Sequence, residues 1–340
     1  MHAIRFGLDL AKSVFQVHGV DAGGAVVVQR QLKRGQVVKF FTAQPPALIG
    51  MEACGSAHHW GRVLGALGHE VKLMPAGYVK AYVKRNKNDA RDAEACCEAV
   101  SRPTMRLVPV KTVERQCARA LLKTRDLLVR QRTQLANAMR GLLYELGLTQ
   151  GKGAAGMAAV LASIETRDAA VPAALLVCLE PLARQWRRLD KEIGRLDREI
   201  VAQVGRDAAA RRLTTVPGVG PIGAYAVVAA IGDGRQFASG RDFAAWLGLT
   251  RKNHDSGGKH ALTGAISRAG DAGVRRLLVL GASSWLRHVR AKPAKGSPWL
   301  HAIIARRPVK VAVVAQAAKT ARILWAMLRS GDAFRAQSAA

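Results

Sequence analysis

Leu121, Leu128, Leu135 and Leu142 recur every seven residues, and Leu122, Val129, Ala136 and Leu143 form a second stripe beside them. Seven-residue spacing held over three heptads specifies a long helix with a coiled-coil-like seam. Leu182, Trp186, Leu189, Ile193, Leu196 and Ile200 then step by four and three, which predicts a second long helix. Between them residues 150–156 form a Gly-rich turn in which the chain can reverse. Two ordinary bundle helices produce the same pattern, so periodicity leaves coiled coil and bundle both open.

The helical block divides the chain. Before it, Ile4, Phe6, Leu8 and Leu10 alternate, and β-rich runs at 14–20 and 25–28 flank Asp21-Ala22-Gly23-Gly24, which predicts a three-stranded antiparallel meander. A polar helix over 34–42, a strand over 47–51, a helix over 60–67 and a strand over 71–74 follow. Three strands and then β-α-β make a mixed α/β sheet. From Val113 onward strand signals cease, so the rest is expected to be all-α. Its final helix, over 309–328, is apolar at Val311, Val314, Ala318, Ile323, Leu324 and Met327.

Charge indicates the partner. Lys and Arg number 53 against 24 Asp and Glu, a formal net charge of +29, which calls for a polyanion. Hydrophobic residues make up 49% of the chain, too many for a disordered basic tail. No apolar run approaches the roughly 20 residues of a membrane span. Met1-His2-Ala3-Ile4-Arg5-Phe6 has no secretory pattern. Nucleic acid is therefore favoured over a membrane, and a cytoplasmic location is expected. Cys54, Cys96, Cys97, Cys117 and Cys178 are odd in number and lack C-x-x-C spacing, which predicts reduced core thiols rather than a zinc site or disulfides.

Against that positive background a few carboxylates stand out. Asp9 interrupts a strand otherwise suited to burial, and Glu52 ends the strand Ile49-Gly50-Met51-Glu52, where it can meet a side chain from a neighbouring strand. Asp89 and Asp92 open a helix at i, i+3 and share a face, whereas Glu94 and Glu98 fall outside it. An N-cap role for Asp89 and a dipole-favoured surface charge at Asp92 explain the pair equally well. A phosphate-binding protein gains from clustered negative charge only through a cation, and Mg2+ is the hard ion that carboxylates prefer. Upstream, Tyr78, Lys80, Tyr82, Lys84, Arg85 and Lys87 alternate aromatic and basic residues, suited to stacking bases and holding a backbone.

In the last third, Leu213-Thr214-Thr215-Val216-Pro217-Gly218-Val219-Gly220-Pro221 reads as the turn of a helix-hairpin-helix. Gly218 and Gly220 there permit positive φ, and the amides of the next helix can face a phosphate. Farther on, Asp255-Ser256-Gly257-Gly258 lies among Lys252, Lys259, Arg268, Arg275 and Arg276, cations able to neutralise a phosphate attacked by the Ser256 oxygen.

The order β-β-β-α-β-α with Asp9, Glu52, Asp89 and Asp92 resembles an RNase H-like fold of the RuvC kind, with a D-E-D-D tetrad. Gly7-Leu8-Asp9-Leu10-Ala11-Lys12, Met51-Glu52-Ala53-Cys54-Gly55 and Lys87-Asn88-Asp89-Ala90-Arg91-Asp92-Ala93, together with the C-terminal motifs, are similar to the DEDD transposases of the insertion-sequence 110 and 1111 families. The similarity spans nearly the whole chain. It implies a RuvC-like catalytic domain over 1–110, a coiled-coil assembly region over 111–205 and a transposase domain with the helix-hairpin-helix over 206–340. It further implies Mg2+ on the four carboxylates and Ser256 as nucleophile. The partners it implies are DNA at the element ends and target, a guide RNA, and a homodimer or homotetramer with composite sites. Two positions depart from the family pattern. Thr250 stands where proline is common and Asp255 where a second serine often precedes, which leaves Ser256 as the one candidate. A Holliday-junction resolvase using metal-activated water, and a non-enzymatic helical scaffold, are the competing readings.

Overall fold

The computed structural model describes residues 2–84, 88–256 and 259–335, with the backbone alone over 253–256 and 259–264. The chain divides into two compact units, Met1–Glu114 and Arg115–Ala340.

In the first unit β1 (Arg5–Leu10), β2 (Val14–Val20) and β3 (Val26–Lys33) form an antiparallel meander. α1 (Val37–Thr42) then leads to β4 (Leu48–Glu52), which lies parallel to β1. α2 (Ala57–Ala66) crosses to β5 (Glu70–Met74), parallel to β4, and α3 (Ala76–Val79) and α4 (Asp89–Ala99) follow. The mixed sheet has the order β3-β2-β1-β4-β5 and is compatible with an RNase H-like domain.

Alternation assigns each face its layer. Phe6 and Leu8 of β1 and Ile49 and Met51 of β4, all 0% exposed, cluster with Phe41 of α1 and Trp60 and Leu64 of α2. Burial of each such side chain contributes about 1.5–3 kcal/mol. The intervening Gly7 and Gly50 face α4. A Cβ at Gly7 would strike the backbone of Ala93 and Cys97, and one at Gly50 the backbone of Cys96 and the side chain of Val100. The missing side chains let α4 rest directly on the sheet.

The second unit opens with most of α5 (Val113–Tyr144), followed by α6 (Gly153–Glu165) and α7 (Ala173–Arg206). Both long helices form as their periodicity predicts, while α6 occupies part of what reads as a turn. Ion pairs Arg125–Asp197 and Arg132–Asp190 step seven residues in opposite directions, so α5 and α7 run antiparallel. The Arg132 guanidinium also lies 5.8 Å over the Trp186 ring. The buried stripe follows the second of the two heptad stripes, through Ala136 and Leu143, and adds Met139. On α5 it is Ala136, Met139 and Leu143, packed with Val160 and Leu179, whereas Leu142 is 37% exposed. A third helix sets which side of α5 is covered, and the heptad alone carries no information about α6.

α8 (Ala208–Leu213), α9 (Pro221–Ile231) and α10 (Gly240–Trp246) lead to an antiparallel hairpin, β6 (Arg251–Ser256) and β7 (Lys259–Ile266). The expectation of an all-helical C-terminal part is thereby corrected. The hairpin sequence is mostly polar, so the alternating apolar signal that marks a half-buried strand is missing. α11 (Ala272–Ala291), α12 (Pro298–Arg306) and α13 (Val309–Ser330) close the unit around Phe243, Leu247, Leu278, Ala317 and Leu324. The covered face of α13 includes Ala312, Gln316, Thr320, Leu324 and Met327, while Val311 is exposed. Of its six expected contact residues Leu324 and Met327 are buried, Val314, Ala318 and Ile323 pack partly buried against the same core, and Val311 alone is exposed. By length and composition α13 could cross a membrane, contrary to the expectation that no apolar stretch is long enough; half of it is buried in this core.

Cys96 and Cys97 are buried and free, as core thiols should be. Cys54, Cys117 and Cys178 are exposed, which corrects the expectation for those three.

Candidate active site

Two Gly-x-acid triplets build the carboxylate cluster. Gly7-Leu8-Asp9 lies one residue before the end of β1 and Gly50-Met51-Glu52 ends β4, and the parallel register pairs Gly7 with Gly50 and Leu8 with Met51. Side chains alternate along a strand, so Asp9 and Glu52 share the face of the two glycines, the face on which α4 lies. Asn88 caps α4, its side chain accepting from the Ala90 N–H at 3.0 Å. Asp89 is thus free of the capping role and sits with Asp92 in the first turn.

The charges act on one another. Burial, and then repulsion from Asp92, Asp89 and Glu52, push the Asp9 carboxyl up to about 6, against the pull of the Leu10 amide. The Cys54 thiol is raised as well, by burial and by Glu52 and Asp9. Glu94 instead pairs with Lys84 at 2.7 Å and Glu98 with Arg102, so neither belongs to the cluster. Among the described residues no three His, Cys, Asp or Glu side chains converge closely enough to hold a metal ion. The donor set nevertheless fits a hard divalent cation: four carboxylates at one end of one face, whose mutual repulsion the attraction of an ion among them would outweigh.

The basic segment is only partly described. Lys80 lies in a single turn after α3 and is exposed, and Lys84 is held by Glu94. Arg85 and Lys87 lie outside the described residues. Tyr82 packs beside Met74 and Val79 with Arg102 6.0 Å over its ring, which leaves the half-exposed Tyr78 as the accessible aromatic.

Ser256 belongs to the second unit, as the last residue of β6, paired with Lys259 of β7. The hairpin is fixed at its base. Ser267 donates its N–H to the Thr250 carbonyl at 2.8 Å, and Arg268, exposed and at φ +56, donates to Gly248 at 3.2 Å. Arg275 joins the two stems, donating to the Leu247 carbonyl at 2.9 Å and to that of Ala269. Asp271 caps α11 through the amides of Gly273 and Val274 and meets Arg119 at 2.7 Å. Burial works against its charge, but those amides and Arg119 hold its carboxyl below the usual range. Arg276 is paired with Asp126, while Lys252 is exposed on β6. Sequence reasoning missed Arg119 and Asp271; the signal for Asp271 was its place one residue before α11, where an acid caps.

Gly218 and Gly220 lie in the turn between α8 and α9. Gly218 has φ +83 and packs against Gly281 of α11. Gly220 has φ −86 as the N-cap of α9, so the expected positive φ applies to Gly218 alone.

Comparison with known proteins covers both units. A family model described as transposase, of the DEDD type, matches residues 6–147, and one described as the transposase IS116/IS110/IS902 family matches residues 210–297. A probable family 20 transposase of Pseudomonas aeruginosa is 50% identical over 98% of this chain and 99% of its own length. The transposase for insertion sequence element IS1111A of Coxiella burnetii is 42% identical, covering 97% and 90% respectively. The transposase for insertion sequence element IS1328 of Yersinia enterocolitica is 35% identical, covering 96% and 97%.

Proposed function

This chain belongs to the IS116/IS110/IS902 family of transposases, enzymes that act on DNA by phosphoryl transfer, and from that premise we propose that it cuts and rejoins the strands of an insertion sequence using a carboxylate cluster and a serine. The observation that carries this reading is that Asp9 and Glu52 share the face of the sheet on which α4 rests through Gly7 and Gly50, where Asp92, Asp89 and Glu52 all repel the Asp9 carboxylate. The DEDD domain suggests divalent-metal use, and Mg2+ is the ion we assign to Asp9, Glu52, Asp89 and Asp92. Bound there it would neutralise charge on the attacked phosphate and on the leaving oxygen.

In the proposed step the Ser256 oxygen attacks phosphorus and gives up its proton, the bond to the 3′ oxygen breaks, and that oxygen leaves as a 3′-OH. A 5′-phosphoserine remains until a 3′-OH reverses the reaction at a new junction. Lys252, Lys259 and Arg268 are placed by sequence beside the serine to stabilise the phosphate, while Arg275 holds the hairpin stems together. The turn between α8 and α9 supports a helix-hairpin-helix role, in which amides at the start of α9 contact DNA backbone without reading sequence. We assign the antiparallel α5–α7 pair to coiled-coil assembly of a dimer or tetramer, and the 1–110, 111–205 and 206–340 division follows from that role. A guide RNA completes the reading and rests on family membership; the excess of cations is sufficient for both nucleic acids.

The test is covalent trapping. A nicked substrate that prevents religation should yield a denaturation-resistant protein–DNA adduct mapping to Ser256, formed only with divalent metal and only when Asp9 is intact. Free DNA ends without an adduct would instead assign hydrolysis by activated water.

A further inference from the structure

The second unit holds a cavity of about 690 Å³, bounded by the turn after α8 at Val216 and Pro217 and by α11, α13 and the segment before α12. Ligand pockets typically enclose about 300–1,000 Å³, so the space suits a nucleotide. Its walls are apolar at Met327, Phe334 and Trp285, and Lys295 and Lys319 bring positive charge to them. Gln316 is only 8% exposed, and its Nε2 donates to the Thr320 hydroxyl at 3.2 Å. With that one bond made, a primary amide still has a second N–H and a carbonyl oxygen to offer. An apolar slot containing one amide donor–acceptor pair, with Lys295, Lys319 and Arg335 in its lining beside Asp332, matches a nucleobase with its phosphate. A peptide ligand would not require the cations, and a bare phosphate would not require the slot.

We propose that this cavity receives one unstacked base of a bound DNA strand. Trp285 stacks on the base, Gln316 reads its edge, and Lys319 and Lys295 hold the flanking phosphate. Val216 and Pro217 line the same cavity, so a strand following the α8–α9 turn passes its mouth. The inference rests on the family's action on DNA and is independent of Ser256 and of the metal. It gives the enzyme a place to anchor a distorted strand outside the reacting centre.

The test uses the full chain and mixed-sequence single-stranded DNA carrying 5-iodouracil in place of thymine. Irradiation should give an adduct on the peptide containing Trp285. Gln316→Leu and Lys319→Ala should weaken both that adduct and the affinity, the latter by about tenfold. Lys319 is partly exposed, so its variant carries the test if Gln316→Leu unfolds. On a strand with abasic sites throughout, wild type and Gln316→Leu should bind alike, while Lys319→Ala should still bind more weakly through the lost phosphate contact. Adducts confined to other peptides would overturn the proposal. So would an abasic strand on which Gln316→Leu costs as much as on the intact strand, which marks a phosphate site only, or preferential crosslinking of RNA of the same sequence at Trp285.

Discussion

The end of the first unit's sheet and the hairpin of the second carry the two proposed halves of the chemistry, and they are built in opposite ways. Asp9 and Glu52 extend strands whose neighbouring residues are fully buried, and the helix bearing Asp89 and Asp92 is seated on two glycines. Their positions are set by the core itself. The hairpin whose first strand ends in Ser256 is mostly polar and is tied at its base by Arg275 and by the amides of Ser267 and Arg268. A site that must hold clustered like charges needs a rigid frame, because repulsion will otherwise separate them. A single nucleophile needs only a fixed stem and room for a strand to approach.

The largest expected effect falls on the rigid half. Asp9→Asn should lower strand cleavage by about a thousandfold or more while DNA affinity stays level or rises, since a charge that repels phosphate has been removed. Chelating the divalent metal should do the same to the wild type. Cleavage assays set beside binding isotherms decide it, and near-normal cutting by the Asn variant would dissolve the contrast between the halves.

Gly50→Val tests whether the core positions the carboxylates. The added methyls meet Val100 and the Cys96 carbonyl, so α4 must lift, at a cost of about 1–3 kcal/mol or more. Chemical denaturation should show that loss, and cleavage should fall with it even though no carboxylate has changed.

Arg275 tests the other half. Arg275→Ala frees both stems, and misplacement of the hairpin should lower adduct formation by roughly ten- to a hundredfold with little change in DNA binding. Arg275→Lys, whose ammonium keeps several donors on a side chain one atom shorter, should recover part of it. An unaltered adduct yield would mean that the hairpin needs no clamp.

The smallest effect is on pH dependence. Asp9 is raised from 3.8 to about 6 by burial and its acidic neighbours, so its proton favours the fold. That contribution is present in full below the ordinary value near 3.8 and is lost as pH rises through about 6. In chelator the melting temperature should therefore decline across this window, and Asp9→Asn should flatten the decline. Magnesium should raise the wild-type melting temperature above pH 6 and leave the variant nearly unmoved.

Much of the carboxylate half was legible in the residues. Strand alternation placed β1, β2, β4 and β5, and the departures from it at Asp9 and Glu52 marked the site. The matching Gly-x-acid triplets were present too, but their meaning depends on strand pairing: Gly7 and Gly50 become significant only once β1 and β4 are neighbours beneath one helix. The hairpin was not legible, because its strand sequences are mostly polar and show no alternating apolar period. The heptad on α5 gave the helix and two of its covered residues, Ala136 and Leu143, but not which of its two stripes is buried, since that depends on packing with residues of α6 and α7, which also cover Met139.

By itself, then, the sequence determined what depends on local period and on charge. It specified a mixed sheet followed by two long helices, a polyanionic partner, and the residue types able to hold a hard cation or attack a phosphate. Only the tertiary structure decided what depends on the meeting of distant segments. That includes the shared face of Asp9 and Glu52, the seating of α4, the clamp of Arg275 across stems more than twenty residues apart, and the pocket around Trp285 and Gln316. Hydrophobic periodicity records which side of an element is buried, but a contact between elements is chosen by the total burial of all of them together, which no single stretch of sequence encodes.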